Sequence, residues 1–204
     1  FAARTCMMAG VGLTGVFLWY LVRFWVYGKA VVLTSAPLTI PAGFLIAGMA
    51  VATLIGAALA SWAAGPISER IEEKNIPVAR VVAGACLLYA AGLALAWGLG
   101  VWSTGTAREN GMLLFALISG FAFGVYDSLG LELVMDSLPD PRRAGHDLGI
   151  YALANSAGLA LAAIIGALLV NAFEHSFGYY LLFPSAIVMV LLAGIVTLTT
   201  KSAE

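Results

Sequence analysis

Charged residues are what this sequence has least of. Only 10% of its 204 residues are Asp, Glu, Lys or Arg, and the formal net charge is −1. An ordinary soluble domain is about a quarter charged. The near balance of positive and negative side chains excludes a basic surface for nucleic acid and an acidic tail for a basic partner.

Cysteine and histidine are equally scarce. Cys6 and Cys86 lie in or beside apolar stretches, so a disulfide framework is not expected. His146 and His175 fall in predicted loops, and no metal-ligand or metalloprotease spacing is present. There is no glycine-rich phosphate loop, and no serine has a plausible base within a membrane. We therefore expect no metal, no cofactor and no enzyme activity.

Long apolar runs are abundant. Hydrophobic residues make up 62% of the chain, and uncharged runs of 18, 39, 27, 26 and 25 residues follow one another. A helix needs about 20 apolar residues to cross the bilayer, and these runs show no strand alternation. The sequence predicts an all-α membrane protein. We expect a single six-helix transmembrane bundle with helices near 5–27, 40–64, 78–102, 112–135, 147–172 and 177–199.

Prolines and basic residues refine this topology. Pro66 is predicted to follow the second helix, and Pro184 to kink the sixth. With six spans both termini share one side, and lysine and arginine favour that side by seven to three. The seven are Arg4, Arg70, Lys74, Arg80, Arg142, Arg143 and Lys201; the three are Arg23, Lys29 and Arg108. This asymmetry predicts a protein integral to the cytoplasmic (plasma) membrane, with both termini in the cytoplasm.

Small residues recur every four positions in two predicted helices. One stripe begins at Gly48 and passes through Gly56, and the other begins at Ala154 and passes through Gly158 and Gly166. Such stripes let helix backbones approach closely, which is the main packing device in lipid. We expect tight helix contacts along both stripes.

Asp127 is the carboxylate predicted to lie deepest in the membrane. It falls about 15 residues into the fourth helix, which is about 22 Å along it. A charge there is costly and should face a cavity or a partner. We expect a protonation site or a contact for a cationic substrate. The alternative is a carboxylate that is hydrogen-bonded inside the bundle or reached by water. The adjacent Tyr126 points about 100° away, so at most one of the two needs to face a cavity.

Three further polar side chains are candidate substrate or coupling residues. Tyr20 and Arg23 would share one side of the first helix and meet an anionic group, unless Arg23 only reaches the lipid headgroups. Asn155, four residues after Tyr151, would line a polar face or make an interhelical hydrogen bond. Arg23 and Asp127 lie at different predicted depths, so no direct pairing is expected.

A charged motif occupies the predicted loop between the second and third helices. It reads Gly65-Pro-Ile67-Ser-Glu69-Arg70, with Lys74 four residues further on. An acid–base pair in such a turn can hold one conformation closed and break in another. Glu132, near the cytoplasmic end of the fourth helix, is expected to join the same gate.

This motif resembles the cytoplasmic signature of the major facilitator superfamily, which lies between the second and third helices of each six-helix half. Glutamate stands where the signature has aspartate, and Glu72 and Glu73 replace its second glycine and a basic residue. The stretch 136–149 resembles the loop between the fourth and fifth helices of the C-terminal half. The chain as a whole is similar to helices seven to twelve of such a transporter, at half its usual length. It starts at Phe1, which we interpret as a truncation, a processed end or the first resolved residue.

The resemblance implies alternating access of a small solute to a central cavity near the bilayer midplane. The first and fourth helices of each half line that cavity. An N-terminal six-helix half would come from the same chain or from a second chain, and coupling to a proton or cation gradient is expected. The alternative is a non-transporting membrane subunit or assembly factor of a larger complex, built on the same half-fold.

Overall fold

The computed structural model describes residues 1–26, 40–102, 106–136, 144–173 and 175–200, and these residues are almost entirely helical. No strand occurs within these ranges. The helices are α1 (Ala2–Gly15), α2 (Leu18–Tyr20), a π-helical segment (Leu21–Val26), α3 (Ile40–Glu73), α4 (Val78–Trp102), α5 (Thr106–Asp136), α6 (Ala144–Ala172) and α7 (His175–Thr200).

Five of the described helices, α3 to α7, are long and apolar enough to cross a membrane. Large apolar side chains such as Phe44, Trp62 and Leu168 project from their outer surfaces. A water-soluble protein rarely exposes so much apolar surface, whereas lipid accepts it. The described part of the chain is therefore a helical bundle compatible with an integral membrane protein.

The first segment differs from the continuous helix predicted over 5–27. Helix α1 ends at Gly15, α2 is a single turn, and the chain then widens into the π-helical segment. Phe17 leaves helical geometry, with φ −98° and ψ 7°. Its ring packs against Gly166 of α6, where only a hydrogen leaves room for it. The regular α-helix is therefore interrupted where the Phe17 ring packs against α6. Residue 27, the last residue of the predicted helix, lies outside the described ranges.

The second predicted helix is too short. Helix α3 continues past residue 64 to Glu73, so Pro66 lies inside it rather than after it. Ile67 and Ile71 share one face because they are four residues apart. Ile71 is buried and Ile67 packs against the core, so this extension has its own apolar anchor.

The end of α3 is a Schellman motif. Asn75 adopts a left-handed conformation with φ 50°. Its N–H donates to the Glu72 carbonyl oxygen at 3.2 Å, and the Ile76 N–H donates to the Ile71 carbonyl oxygen at 3.0 Å. These bonds satisfy carbonyls that the helix end would otherwise leave free, and Pro77 prevents further helix.

The helices pack in a pattern with internal symmetry. Helix α1 contacts α6 and α7, while α5 contacts α3 and α4, and α4 contacts α7. Exchanging the set α1, α3, α4 for the set α5, α6, α7 maps each of these contacts onto another or onto itself, whereas the smaller contact between α6 and α7 has no comparable counterpart between α3 and α4. The bundle therefore consists of two three-helix sets whose helices interlock, with α1 and α5 in equivalent positions.

Two seams of small residues bring these helices together. A methyl group added to Gly56 would meet the Leu117 carbonyl oxygen, and one added to Gly120 would meet the Thr53 carbonyl oxygen. On the other seam, a methyl group at Gly158 would lie 2.7 Å from the Thr5 carbonyl oxygen. The close contacts predicted along the two stripes are confirmed at Gly56 and Gly158. Backbone approach of this kind maximises van der Waals contact where lipid supplies no hydrophobic driving force.

We predict that Gly120→Ala lowers the stability of the protein in detergent by about 1–3 kcal/mol, because the new methyl group must push the α3 backbone away. Gly84→Ala is the matched control, since nothing lies within 4 Å of the added methyl group. The control should be neutral or slightly stabilising. Thermal unfolding of both variants measures the difference, and equal stability would contradict this packing.

Candidate functional site

Arg4 lies in the first turn of α1 and points into the bundle. Its side chain is only 8% exposed. One terminal nitrogen, Nη2, lies 2.6 Å from Oδ1 of Asp127 on α5. Its Nε donates a hydrogen bond of 2.7 Å to Oδ1 of Asn155 on α6. A single guanidinium therefore joins three helices through an ion pair and a charged hydrogen bond.

Aromatic rings surround the guanidinium. The Arg4 Cζ atom lies 5.7 Å from the ring centre of Phe123, 5.6 Å from that of Tyr126 and 5.0 Å from that of Tyr151. Distances below about 6 Å allow cation–π attraction, which is strongest where water is excluded. The rings thus replace part of the hydration that Arg4 gives up on burial.

Helical spacing assembles this cluster. Tyr126 and Asp127 follow Phe123 by three and four residues on α5, so each of them lies next to Phe123 on the helix surface. Tyr151 and Asn155, four residues apart, do the same on α6. Gly158, one turn beyond Asn155, allows the α1 backbone to come close enough for Arg4 to reach both helices.

The two charges differ sharply in environment. The Asp127 side chain is 52% exposed, while Arg4 is almost completely covered. Burying a cation without a partner is expensive, so Arg4 depends on Asp127 more than Asp127 depends on Arg4. The pair is neutral as a whole, and its carboxylate stands at the accessible edge. Such a site can exchange its internal carboxylate for another acceptor.

The structure brings three of the predicted site residues together and leaves two elsewhere. Asp127, Tyr126 and Asn155 all contact Arg4, and the interhelical hydrogen bond considered for Asn155 is present. Tyr126 is buried, whereas Asp127 is exposed. Tyr20 stacks on Tyr179 with ring centres 6.0 Å apart. It lies 16 residues after Arg4, or roughly 24 Å along the first segment.

Arg23 also lies away from the Arg4 cluster. It is half-buried in the π-helical segment, three residues beyond Tyr20. Its position at the far end of the first segment separates it from Asp127, as the predicted difference in depth implied.

Three of the predicted gate residues lie in a helix rather than in a loop. Gly65, Glu69 and Arg70 occupy the last turns of α3, because the helix continues to Glu73. Lys74 lies in the turn that follows. All four are exposed. Glu132 belongs to α5, but its side chain lies outside the described residues.

Arg4 is the central residue that the sequence reasoning missed. The sequence predicts Arg4 only as a basic residue that flanks the first span, and it predicts no partner for Asp127 because Arg23 lies at a different depth. The positions of Arg4 and Asp127 within their helices are the sequence signal for this pairing. Asp127 lies nine residues before the end of α5, and Arg4 lies at the start of α1. In the six-span topology that the sequence predicts, both residues fall near the same membrane face.

No family model matches the chain, and no curated protein or solved structure matches it. The chemistry of the Arg4 cluster is therefore the basis for assigning a function.

We predict that Arg4 and Asp127 are energetically coupled. Asp127→Asn and Arg4→Gln should each destabilise the protein, while the double variant should be more stable than the sum of the single effects by about 1–3 kcal/mol. The reason is that losing Asp127 leaves the buried Arg4 cation without its counter-ion, and the double variant does not carry this cost. Unfolding of all four proteins in detergent gives the coupling, and strictly additive effects would contradict the ion pair.

Proposed function

We propose that the chain is the C-terminal six-helix half of a secondary transporter of the major facilitator type. It would move a small solute by alternating access, coupled to a proton or cation gradient. The observation that carries this proposal is the Arg4–Asp127 pair, a neutralised but accessible charge site inside an apolar helical bundle. Intramembrane charges are costly, and they are typical of substrate and ion pathways.

The arrangement of the helices supports the same function. Arg4 lies on the first segment and Asp127 on the fourth, which are the two that the resemblance expects to line the cavity. The exchangeable contacts of the two three-helix sets are what a repeated transporter half requires. In this proposal, α1, α2 and the π-helical segment together form the sixth span. The protein resides in the cytoplasmic membrane with both termini in the cytoplasm, and an N-terminal half completes the cavity.

A breakable ion pair suits alternating access. A ligand or proton shifts a conformational equilibrium only through a difference in affinity between the two states. In the described state Asp127 compensates Arg4. A proton on Asp127 removes that compensation, which favours a state in which Arg4 finds another acceptor. The pair thereby links occupancy of the site to the packing of α1, α5 and α6.

We predict that Asp127→Asn lowers solute uptake by at least roughly tenfold and removes its dependence on an imposed pH gradient, because the titratable partner of Arg4 is lost. The assay is uptake of labelled sugars, amino acids and carboxylates by proteoliposomes containing the full natural protein, under imposed proton and sodium gradients. Glu109→Gln is the matched control. It removes a carboxylate in the first turn of the same helix, far from Arg4.

Wild-type uptake with an intact pH response in Asp127→Asn would defeat the role given to Asp127. A folded protein that moves none of these solutes and copurifies with a larger membrane complex would instead favour the non-transporting subunit.

The end of α3 provides a second part of the mechanism. Glu69 and Arg70 are exposed there, so they are free of the bundle interior and accessible to a second half. In the proposed cycle they form a gate on the cytoplasmic side, with Gly65, Lys74 and Glu132. Contacts made in only one state stabilise that state and set the rate of switching.

We predict that Glu69→Gln slows maximal uptake roughly tenfold while the apparent KM changes less than about twofold, because the gate lies away from the solute. Glu73→Gln is the control at the same helix end, outside the motif. Parallel losses in both variants, or a change confined to KM, would argue against a gate at Glu69.

A further inference from the structure

The guanidinium of Arg4 has one terminal nitrogen without a partner. Nε donates to Asn155 and Nη2 contacts Asp127, but Nη1 is completely buried and has no hydrogen-bond acceptor among the described residues. A buried donor without an acceptor is costly. The Nη1 group of Arg4 is therefore still able to donate a hydrogen bond to an acceptor.

The geometry of the unused donor defines the missing group. Arginine presents its N–H groups in a planar fork, and a carboxylate can accept two parallel hydrogen bonds from it. Asp127 reaches the fork through one oxygen on Nη2, so Nη1 beside it stays empty. A carboxylate bound to both nitrogens would satisfy Arg4 better than Asp127 does.

The surroundings favour a monoanion with an apolar body. Arg4 is the cation of the cluster, and Asn155 supplies a neutral oxygen, so one negative charge balances the site. Phe123, Tyr126 and Tyr151 offer aromatic surface around it. A cationic solute fits poorly, because Arg4 already lies against those rings and neutralises Asp127.

We propose that Arg4 binds the carboxylate of a small monoanionic solute, and that Asp127 is the internal counter-ion displaced by it. This inference rests on the proposed transport function and names its substrate class. Asp127 stands at the exposed edge, so its displaced carboxylate is not enclosed together with the solute. Arg4 keeps one carboxylate partner throughout, first that of Asp127 and then that of the solute.

The test is carboxylate rescue in the full natural protein purified in detergent. Asp127→Ala removes the internal counter-ion and leaves space beside Arg4. Benzoate should raise the Tm of this variant by roughly 4 °C or more, and that of the wild type by less, since the wild-type carboxylate competes. Benzamide and benzylammonium, of matched size, should have no effect at equal ionic strength.

The double variant Arg4→Gln/Asp127→Asn is the control for binding elsewhere. It retains hydrogen-bonding side chains without either charge, and benzoate should leave its Tm unchanged. Where Asp127→Ala does not fold, Asp127→Asn replaces it in the same comparison. A benzoate response in the double variant, no response in folded Asp127→Ala or Asp127→Asn, or stabilisation by benzylammonium would each overturn the proposal.

The outcome is separable from that of the transport assay. Benzoate binding through Arg4 without uptake of any carboxylate would support the binding site and contradict transport. Asp127-dependent uptake of cationic or neutral solutes alone would support transport and overturn the carboxylate assignment.

Discussion

A buried arginine in an apolar bundle needs a counter-ion, and this requirement organises the centre of the protein. Arg4 gives up nearly all contact with solvent, and it recovers stabilisation from Asp127, Asn155 and three aromatic rings. Because these partners sit on α5 and α6, the charge ties together helices that lipid alone would not hold in register. Asp127 stays half-exposed, so the bond that stabilises the bundle is also open to competition from outside.

Close backbone packing makes that ion pair possible. The glycine at position 158 lets α1 approach α6, and the glycines at 56 and 120 do the same between α3 and α5. Each seam joins the central helix of one three-helix set, α1 or α5, to a helix of the other set. The pair joins these two central helices. A change in their separation therefore alters the Arg4–Asp127 contact directly, which is how a packing rearrangement and site occupancy would be coupled.

Sequence reasoning predicted the helical membrane character and the helix contacts because long apolar runs and small-residue stripes have few other physical outcomes. The predicted end of α3 is too early because Gly65 and Pro66 are typical of a helix end. Asn75 and Pro77 are the stronger stop signal once Ile71 is buried. The break at Phe17 depends on where its ring packs on α6, and no local pattern encodes that contact. The partner of Asp127 likewise depends on which helices are neighbours, which hydropathy does not specify.

Direct contact between Arg4 and Asp127 is the central requirement of the proposed site. Solid-state NMR on selectively labelled protein in lipid bilayers measures this contact as dipolar coupling between the Arg4 guanidinium nitrogens and the Asp127 carboxyl carbon. We expect a strong coupling in the substrate-free protein, with guanidinium protons protected from exchange with water. A freely exchanging Arg4 guanidinium with no coupling to Asp127 would contradict the ion pair, and with it the site and its proposed chemistry.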